Sequence, residues 1–157
     1  MENKHEYNIA VLLPTRGRTD ALSRSVISLV NRALDKNKVQ LLLAFDSDDE
    51  IGYNHFDTEL APWLDDRGVQ YEALEFDPLG YEGLNQYYNA LAASADADWF
   101  FVWNDDAIME TTGWDRIIAS KTGEFKLFAV RTHRDHPYSI FPIIPREWYD
   151  TMGFFSR

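Results

Sequence analysis

The chain has 157 residues, enough for one domain with a sizeable core and too few for two ordinary ones. Its 26 Asp and Glu against 15 Lys and Arg give a formal charge of -11, which disfavours phosphate backbones and argues against a nucleic-acid partner. Cysteine is absent, which excludes disulfides and thiolate metal sites, and no apolar run approaches the ~20 residues that an integral membrane helix needs.

In chain order, Met1 to Asn8 is polar and of mixed charge, unlike a secretion signal, so a cytoplasmic setting is expected. Ile9 to Leu13 is a short apolar run closed by Pro14, the pattern of a strand buried on both faces. Thr19 or Asp20 is placed to cap a helix that ends near Leu34, with Leu22, Val26, Leu29 and Ala33 on one side. Val39 to Phe45 is the second buried run. Asp46 to Glu50 is too charged for a strand and is expected as a loop. Thr58 can cap a short helix through Trp63 and Leu64, with Pro62 in its first turns and Gly68 as its stop.

Val69 to Phe76 reads as a third strand, and Tyr81 to Ala93 as a helix with Leu84, Tyr88, Leu91 and Ala92 on one side. Trp99 to Trp103 is the fourth strand. Thr111 or Thr112 can cap a helix through Trp114, Ile117 and Ile118. Phe125 to Val130 is expected as a fifth strand, and Ser139 to Ile144 as a sixth at an edge or bulge, because it contains Pro142. Glu147 to Met152 is expected as a last helical turn or two.

Strand and helix alternate, which predicts an α/β fold of three layers, with helices on both faces of a mostly parallel sheet. Ligands in such folds sit beyond the carboxyl ends of the strands. The polar residues that follow strands are therefore the candidates. They are Thr15, Arg16 and Arg18 after the first, Asp46 after the second, and Asn104, Asp105 and Asp106 after the fourth. Carboxylates directly after an apolar strand are costly unless solvated or paired, and Mg2+ or Mn2+ would neutralise them. A solvated turn is the alternative. Asp46 can accept from a ribose hydroxyl or a base N–H, or can cap the next turn. Arg16 and Arg18 suit a phosphate, or compensate nearby carboxylates. A second basic spot comprises Arg131, His133, Arg134 and His136. His133 could ligate a metal or stay solvated. Gly83 can allow close backbone approach, and Asn85 and Asn89 share a helix face.

From Ile9 to about Phe155 the chain resembles the family 2 type of GT-A glycosyltransferases, which use nucleotide-sugars. Val11-Leu12-Leu13-Pro14-Thr15-Arg16-Gly17-Arg18 is similar to their first strand and its exit. Asp46-Ser47-Asp48-Asp49 sits where they carry an Asp-rich turn for the nucleoside. Gly83 to Ala90 resembles their Gly-rich helix start, with its recurrent asparagine at Asn89. Asn104-Asp105-Asp106 resembles their Asp-x-Asp metal motif, at the family's spacing from that asparagine, with Asn104 replacing the first Asp. Tyr88 stands where relatives tend to carry Arg.

The resemblance implies one GT-A-like nucleotide-sugar-binding domain over 1–157 and a metal-dependent glycosyltransferase. Thr15, Arg16, Arg18, Asp46, Gly83, Asn89, Asn104 and Asp105 would face the nucleotide-sugar. Asp106, with Asp105 or His133, would hold Mn2+ or Mg2+. Met152-Gly153-Phe154-Phe155 resembles the stretch before the family's catalytic base, so the base and acceptor segment is expected to be missing. Glu147 and Asp150 are weak candidates for it. Two other readings stay open, a non-catalytic nucleotide-sugar-binding protein and a nucleotidyltransferase. The acceptor and oligomeric state are unassigned. A dinucleotide-binding dehydrogenase and a P-loop ATPase are disfavoured, since neither glycine motif is present.

Overall fold

A computed structural model of the chain describes residues 5–133 and 140–154. Its five-stranded sheet has the order β3-β2-β1-β4-β5. The strands are β1 (Tyr7–Thr15), β2 (Val39–Asp46), β3 (Gln70–Phe76), β4 (Ala97–Val102) and β5 (Ile143–Pro145). β1 to β4 run parallel, and β5 is antiparallel at the edge beside β4. This is the predicted three-layer α/β/α arrangement with a mostly parallel sheet.

The strands are buried because they lie between two layers. Ile9, Val11 and Leu13 of β1 face one side, where they pack against α1 (Thr19–Arg32) through Leu22, Val26 and Leu29. Trp114 and Ile118 of α5 (Trp114–Ala119) join the same cluster. Ala10 and Leu12 face the other side, with Leu91 and Ala92 of α4 (Leu84–Ala93) and, from α6 (Arg146–Met152), Trp148 and Tyr149. Alternate residues of one strand thus feed two cores. Each fully buried Leu or Ile contributes about 1.5–3 kcal/mol relative to exposure.

The order of strands has a consequence for function. The chain moves outward from β1 to β2 and β3, then returns across the sheet to β4 on the other side of β1. Right-handed crossovers in opposite directions lie on opposite faces, which is why α1 and α4 are separated by the sheet. The reversal leaves a crevice at the carboxyl ends of β1 and β4.

Several local expectations change. Helix α1 begins at Thr19, so its cap position is Arg18, and no side chain caps it. The Asp-rich stretch is shorter as a loop than expected. Helix α2 (Glu50–His55) starts there, capped by Asp49, whose carboxylate accepts from the Gly52 N–H at 3.1 Å. It continues through a π-helical turn, Phe56–Leu60, into α3 (Ala61–Asp66). Thr58 is therefore inside the helical stretch, donating to the Asn54 carbonyl at 2.7 Å, and is not a cap. Pro62 is accommodated in the first turn of α3, and Gly68 follows that helix with φ +70.

Tyr81–Gly83 forms a 3-10 turn before α4. The cap of α5 is Gly113 in the left-handed region, and neither Thr111 nor Thr112 serves. Phe125 to Val130 forms no strand. Phe128 alone exchanges both backbone hydrogen bonds with Ile143, at 3.0 Å each, on the side of β5 away from β4, because β5 is a short strand that ends in Pro145, which has no N–H to pair. The expected sixth strand is shortened to β5, and Ser139 lies outside the described residues.

Candidate functional site

A cleft of about 530 Å³ opens where β1 and β4 diverge. Pro14, Thr15, Arg16 and Arg18 line it from β1 and its exit, Ala44 and Asp46 from β2, and Asn104, Asp105 and Asp106 from the turn after β4. Gly80, Leu84, Tyr87 and Tyr88 close the side of α4. Seven of the sequence candidates are thus brought together: Thr15, Arg16, Arg18, Asp46, Asn104, Asp105 and Asp106.

Each group is held in its own way. Asp46 is the last residue of β2 and is buried. One of its oxygens accepts from Arg16 Nη1 at 2.7 Å and the other from the Tyr87 hydroxyl. Its carboxylate therefore does not cap the next turn. Arg16 also forks onto Asp48, with Nη1 at 2.5 Å from Oδ1 and Nη2 at 3.1 Å from Oδ2. That pairing, with Asp46 adding to it, raises the Arg16 pKa, and the guanidinium in turn holds the Asp48 carboxyl below its ordinary value. Asp49 ties the same loops together by accepting from the Gly17 N–H at 2.8 Å.

The other end of the cleft is looser. After β4 the chain turns, with Ala107 N–H donating to the Asn104 carbonyl at 3.2 Å. Asp105 is buried while Asn104 and Asp106 are exposed. Thr15 Oγ1 donates to Asp105 Oδ2 at 2.9 Å. Arg18 Nη1 lies 3.3 Å from both Asp105 Oδ1 and Asp106 Oδ2. Ser25 Oγ, which receives the Trp103 indole N–H at 2.8 Å, donates to the Asn104 carbonyl at 3.3 Å and anchors the turn from below.

Neither Tyr87 nor Tyr88 is a ligand candidate in the sequence, where an aromatic on a helix reads as core. The signal was their hydroxyls, because a buried Tyr O–H needs a partner. The Tyr87 hydroxyl donates to Asp46 and accepts from the Leu79 N–H at 2.9 Å. Burial and the Asp46 contact raise its pKa. The Tyr88 hydroxyl donates to the Trp103 carbonyl at 3.2 Å, and burial, with the Asp105 charge nearby, pushes its pKa up to about 12.

Five candidates lie elsewhere. Gly83 and Asn89 are on the N-terminal side and middle of α4 but do not line the cleft. Gly83 has a packing role, since a Cβ there would meet Leu79 Cβ at 2.4 Å. His133 is exposed and outside the cleft, and its companions Arg134 and His136 lie outside the described residues. Asp150 pairs with Arg146 at 3.1 Å on α6, and Glu147 is exposed there, so neither borders the cleft. Phe155 lies outside the described residues.

Among the described residues no three His, Cys, Asp or Glu side chains converge as a metal cage. The donor set at Asn104, Asp105 and Asp106 nevertheless suits a hard divalent ion. Mg2+ sites commonly use one or two carboxylates and take the remaining ligands from substrate phosphates and water. Two observations support the fit. A cationic nitrogen of Arg18 already stands between Asp105 and Asp106. The cleft lining has two arginines against three carboxylates, an excess of one negative charge that an anionic ligand would have to overcome.

No protein-family model matches the chain, and no curated protein matches it in sequence. Solved structures do match it in three dimensions. A mannosyltransferase from Pyrobaculum calidifontis, PcManGT, in complex with GDP-Man and Mn2+, superposes with a TM-score of 0.77 at 10% identity, covering 98% of this chain and 48% of that one. S. aureus TarS 1-349 in complex with UDP gives 0.73 at 10% identity, over 95% of this chain and 50% of that one. TarS 1-349 in complex with UDP-GlcNAc gives 0.71 at 11% identity, over 95% and 48%. At these identities the likeness establishes the fold, which is of the GT-A type. The chain spans about half the length of these neighbours. No helix among the described residues is long and apolar enough to cross a membrane.

Proposed function

We propose that this chain binds a nucleotide-sugar in the cleft between β1 and β4 and serves a glycosyltransferase of the family 2 type, as one GT-A-like nucleotide-sugar-binding domain. The observation that carries the reading is the meeting of Arg16, Arg18, Asp46, Asp105 and Asp106 in one cleft at the switch point of the sheet. The solved neighbours with GDP-Man and UDP-GlcNAc support it by analogy of fold.

The two ends of the cleft suit different parts of such a ligand. Asp46 keeps lone pairs beyond those taken by Arg16 and Tyr87, so it can accept from a ribose hydroxyl or a base N–H. Arg18, Asn104 and Asp106 suit the diphosphate end. Asp106, with Asp105 beside it, would hold Mn2+ or Mg2+. A bound divalent ion there would offset charge on the departing diphosphate as the glycosyl bond breaks and the acceptor oxygen bonds to the sugar. Thr15 fixes the Asp105 carboxylate through its hydroxyl, and Arg18 adds a donor for phosphate oxygens.

One observation favours binding without transfer by this chain alone. The cleft-lining carboxylates are Asp46, Asp105 and Asp106, and each is paired with an arginine. A general base needs a free carboxylate beside the acceptor hydroxyl. The proposal therefore assigns that base to none of the three cleft-lining carboxylates. Calorimetric titration with UDP, GDP, CDP, ADP and dTDP, each with and without Mn2+, tests the reading. Saturable binding of one of them that requires Mn2+ and is lost in Asp106→Ala is expected. Absence of binding by all five in a folded sample defeats it.

A further inference from the structure

The geometry points to Arg18 as an exchangeable latch on the metal carboxylates: it holds Asp105 and Asp106 before a cation arrives, and turns to the diphosphate afterwards. This rests on the nucleotide-sugar reading above and deepens it. Four features of the cleft carry it.

The first is distance. Arg18 Nη1 is 3.3 Å from one oxygen of each carboxylate. Charge-assisted hydrogen bonds of this kind are usually about 2.7–2.9 Å long. The contact is therefore a shared, slack one, unlike the fork of Arg16 on Asp48 in the same cleft. The second is the exposure of the pair that would separate. The Arg18 side chain is 49% exposed and that of Asp106 59%, whereas Asp105 is buried and pinned by Thr15. When Arg18 leaves, Asp105 keeps the Thr15 hydrogen bond but loses its counter-charge, so the exchange needs an incoming cation to replace it.

The third is charge. Arg18 supplies a single positive charge between two negative ones. A divalent ion on Asp106 would supply more charge at the same place and repel the guanidinium. The fourth is the destination. With three carboxylates and two arginines lining the cleft, a diphosphate meets an unfavourable field unless a cation is added and an arginine is freed. One event accomplishes both. Asp105 and Asp106 would hold the cation, and the guanidinium of Arg18, with its planar fork of donors, would be free for the phosphate oxygens.

The inference has a signature that a purely structural arginine lacks. Arg18 opposes the metal when it binds alone, and assists the nucleotide once metal is present. Substitution should therefore move the two affinities in opposite directions. Mn2+ affinity is read by electron paramagnetic resonance of free Mn2+ on the wild type, Arg18→Gln and Asp106→Ala. Nucleoside diphosphate affinity is read by calorimetry at saturating Mn2+, with thermal unfolding to verify that each variant is folded.

Arg18→Gln is expected to bind Mn2+ alone about tenfold more tightly, and nucleoside diphosphate about tenfold more weakly, the scale of one lost charge-assisted contact. Asp106→Ala should lose Mn2+. Unchanged or weaker Mn2+ binding in Arg18→Gln overturns the latch. Tighter Mn2+ binding with unchanged nucleotide affinity overturns the transfer of Arg18 to the diphosphate. Failure of the wild type to bind any nucleoside diphosphate, with Mn2+ or without, removes the nucleotide-sugar reading itself. The two failures are distinct, since the latch can fail in a protein that still binds nucleotide.

Discussion

The two arginines of the β1 exit sit two residues apart and behave differently. Arg16 is engaged by Asp46 at 2.7 Å and by both oxygens of Asp48, and Asp46 is further held by Tyr87. Arg18 touches Asp105 and Asp106 only at 3.3 Å. The Arg16 end ties the β1 exit, β2 and α4 together at one corner. The Arg18 end leaves an exposed carboxylate and a half-exposed guanidinium facing each other across the cleft. A site that must bind an anion with a cation needs both kinds of end. One positions, and the other has charges free to rearrange.

The comparison breaks most visibly in stability. Asp46→Ala strips the shared acceptor from Arg16 and from the Tyr87 hydroxyl at a buried position. Urea denaturation should show a loss of about 1–3 kcal/mol, the cost of leaving the buried Tyr87 hydroxyl without its acceptor, while the exposed Arg16 keeps its fork on Asp48. Asp106→Ala, at the exposed end, should stay within about 0.5 kcal/mol of wild type. Equal losses at the two positions would mean that the contrast between the ends has no energetic content.

A second effect, of similar or smaller size, appears in alkali. Burial pushes the Tyr88 hydroxyl from 10.0 up to about 12. The folded state then retains a proton that the unfolded chain has lost, so stability falls as pH rises between those values. The full window corresponds to about 2–3 kcal/mol. Tyr88→Phe has no such group and should show a shallower alkaline loss in denaturation at pH 10 to 12 than wild type. A slope identical to wild type would show that the hydroxyl beneath the Asp105 end is wet in solution.

Much of this arrangement is legible in the chain before folding, and the reason is physical. Runs such as Ile9 to Leu13 and Val39 to Phe45 have no polar residue that a surface strand would need, apart from Gln40. Polar residues directly after them mark the end of the sheet where ligands bind. Thr15, Arg16, Arg18, Asp46 and Asn104 to Asp106 were found that way. The pairing among them was not legible. Arg16 meets Asp48 across 32 positions, and Arg18 meets Asp106 across 88, which no local pattern encodes.

Acidic residues also misled at Asp46 to Glu50. The same charges that suggest a solvated loop are stabilising at a helix start, where Asp49 caps α2 and Glu50 occupies its first turn. Asn89 was placed by spacing to a family motif. The cleft borders the face of α4 that carries Leu84, Tyr87 and Tyr88, and Asn89 is one residue further round the helix.

The smallest effect concerns Asp48, and it separates the positioning role of Arg16 from its charge. The Arg16 guanidinium holds the Asp48 carboxyl below its ordinary value of 3.8. The stability this pair contributes is present above that value, and is lost as pH falls through the lower folded value. Asp48 is exposed, so solvent screens the pair and its contribution at neutral pH is small. Asp48→Asn should therefore melt close to wild type at pH 7, and lose less stability than wild type on acidification below about pH 4. The Arg16 contact with Asp46 is expected to persist in that variant, because it runs through Nη1 and does not need the Nη2 arm of the fork. Nucleotide affinity should then be unchanged. A drop in nucleotide affinity without a change in the acid limb would mean that Asp48 itself contacts the ligand, and the Arg16 end would no longer be purely a positioning corner.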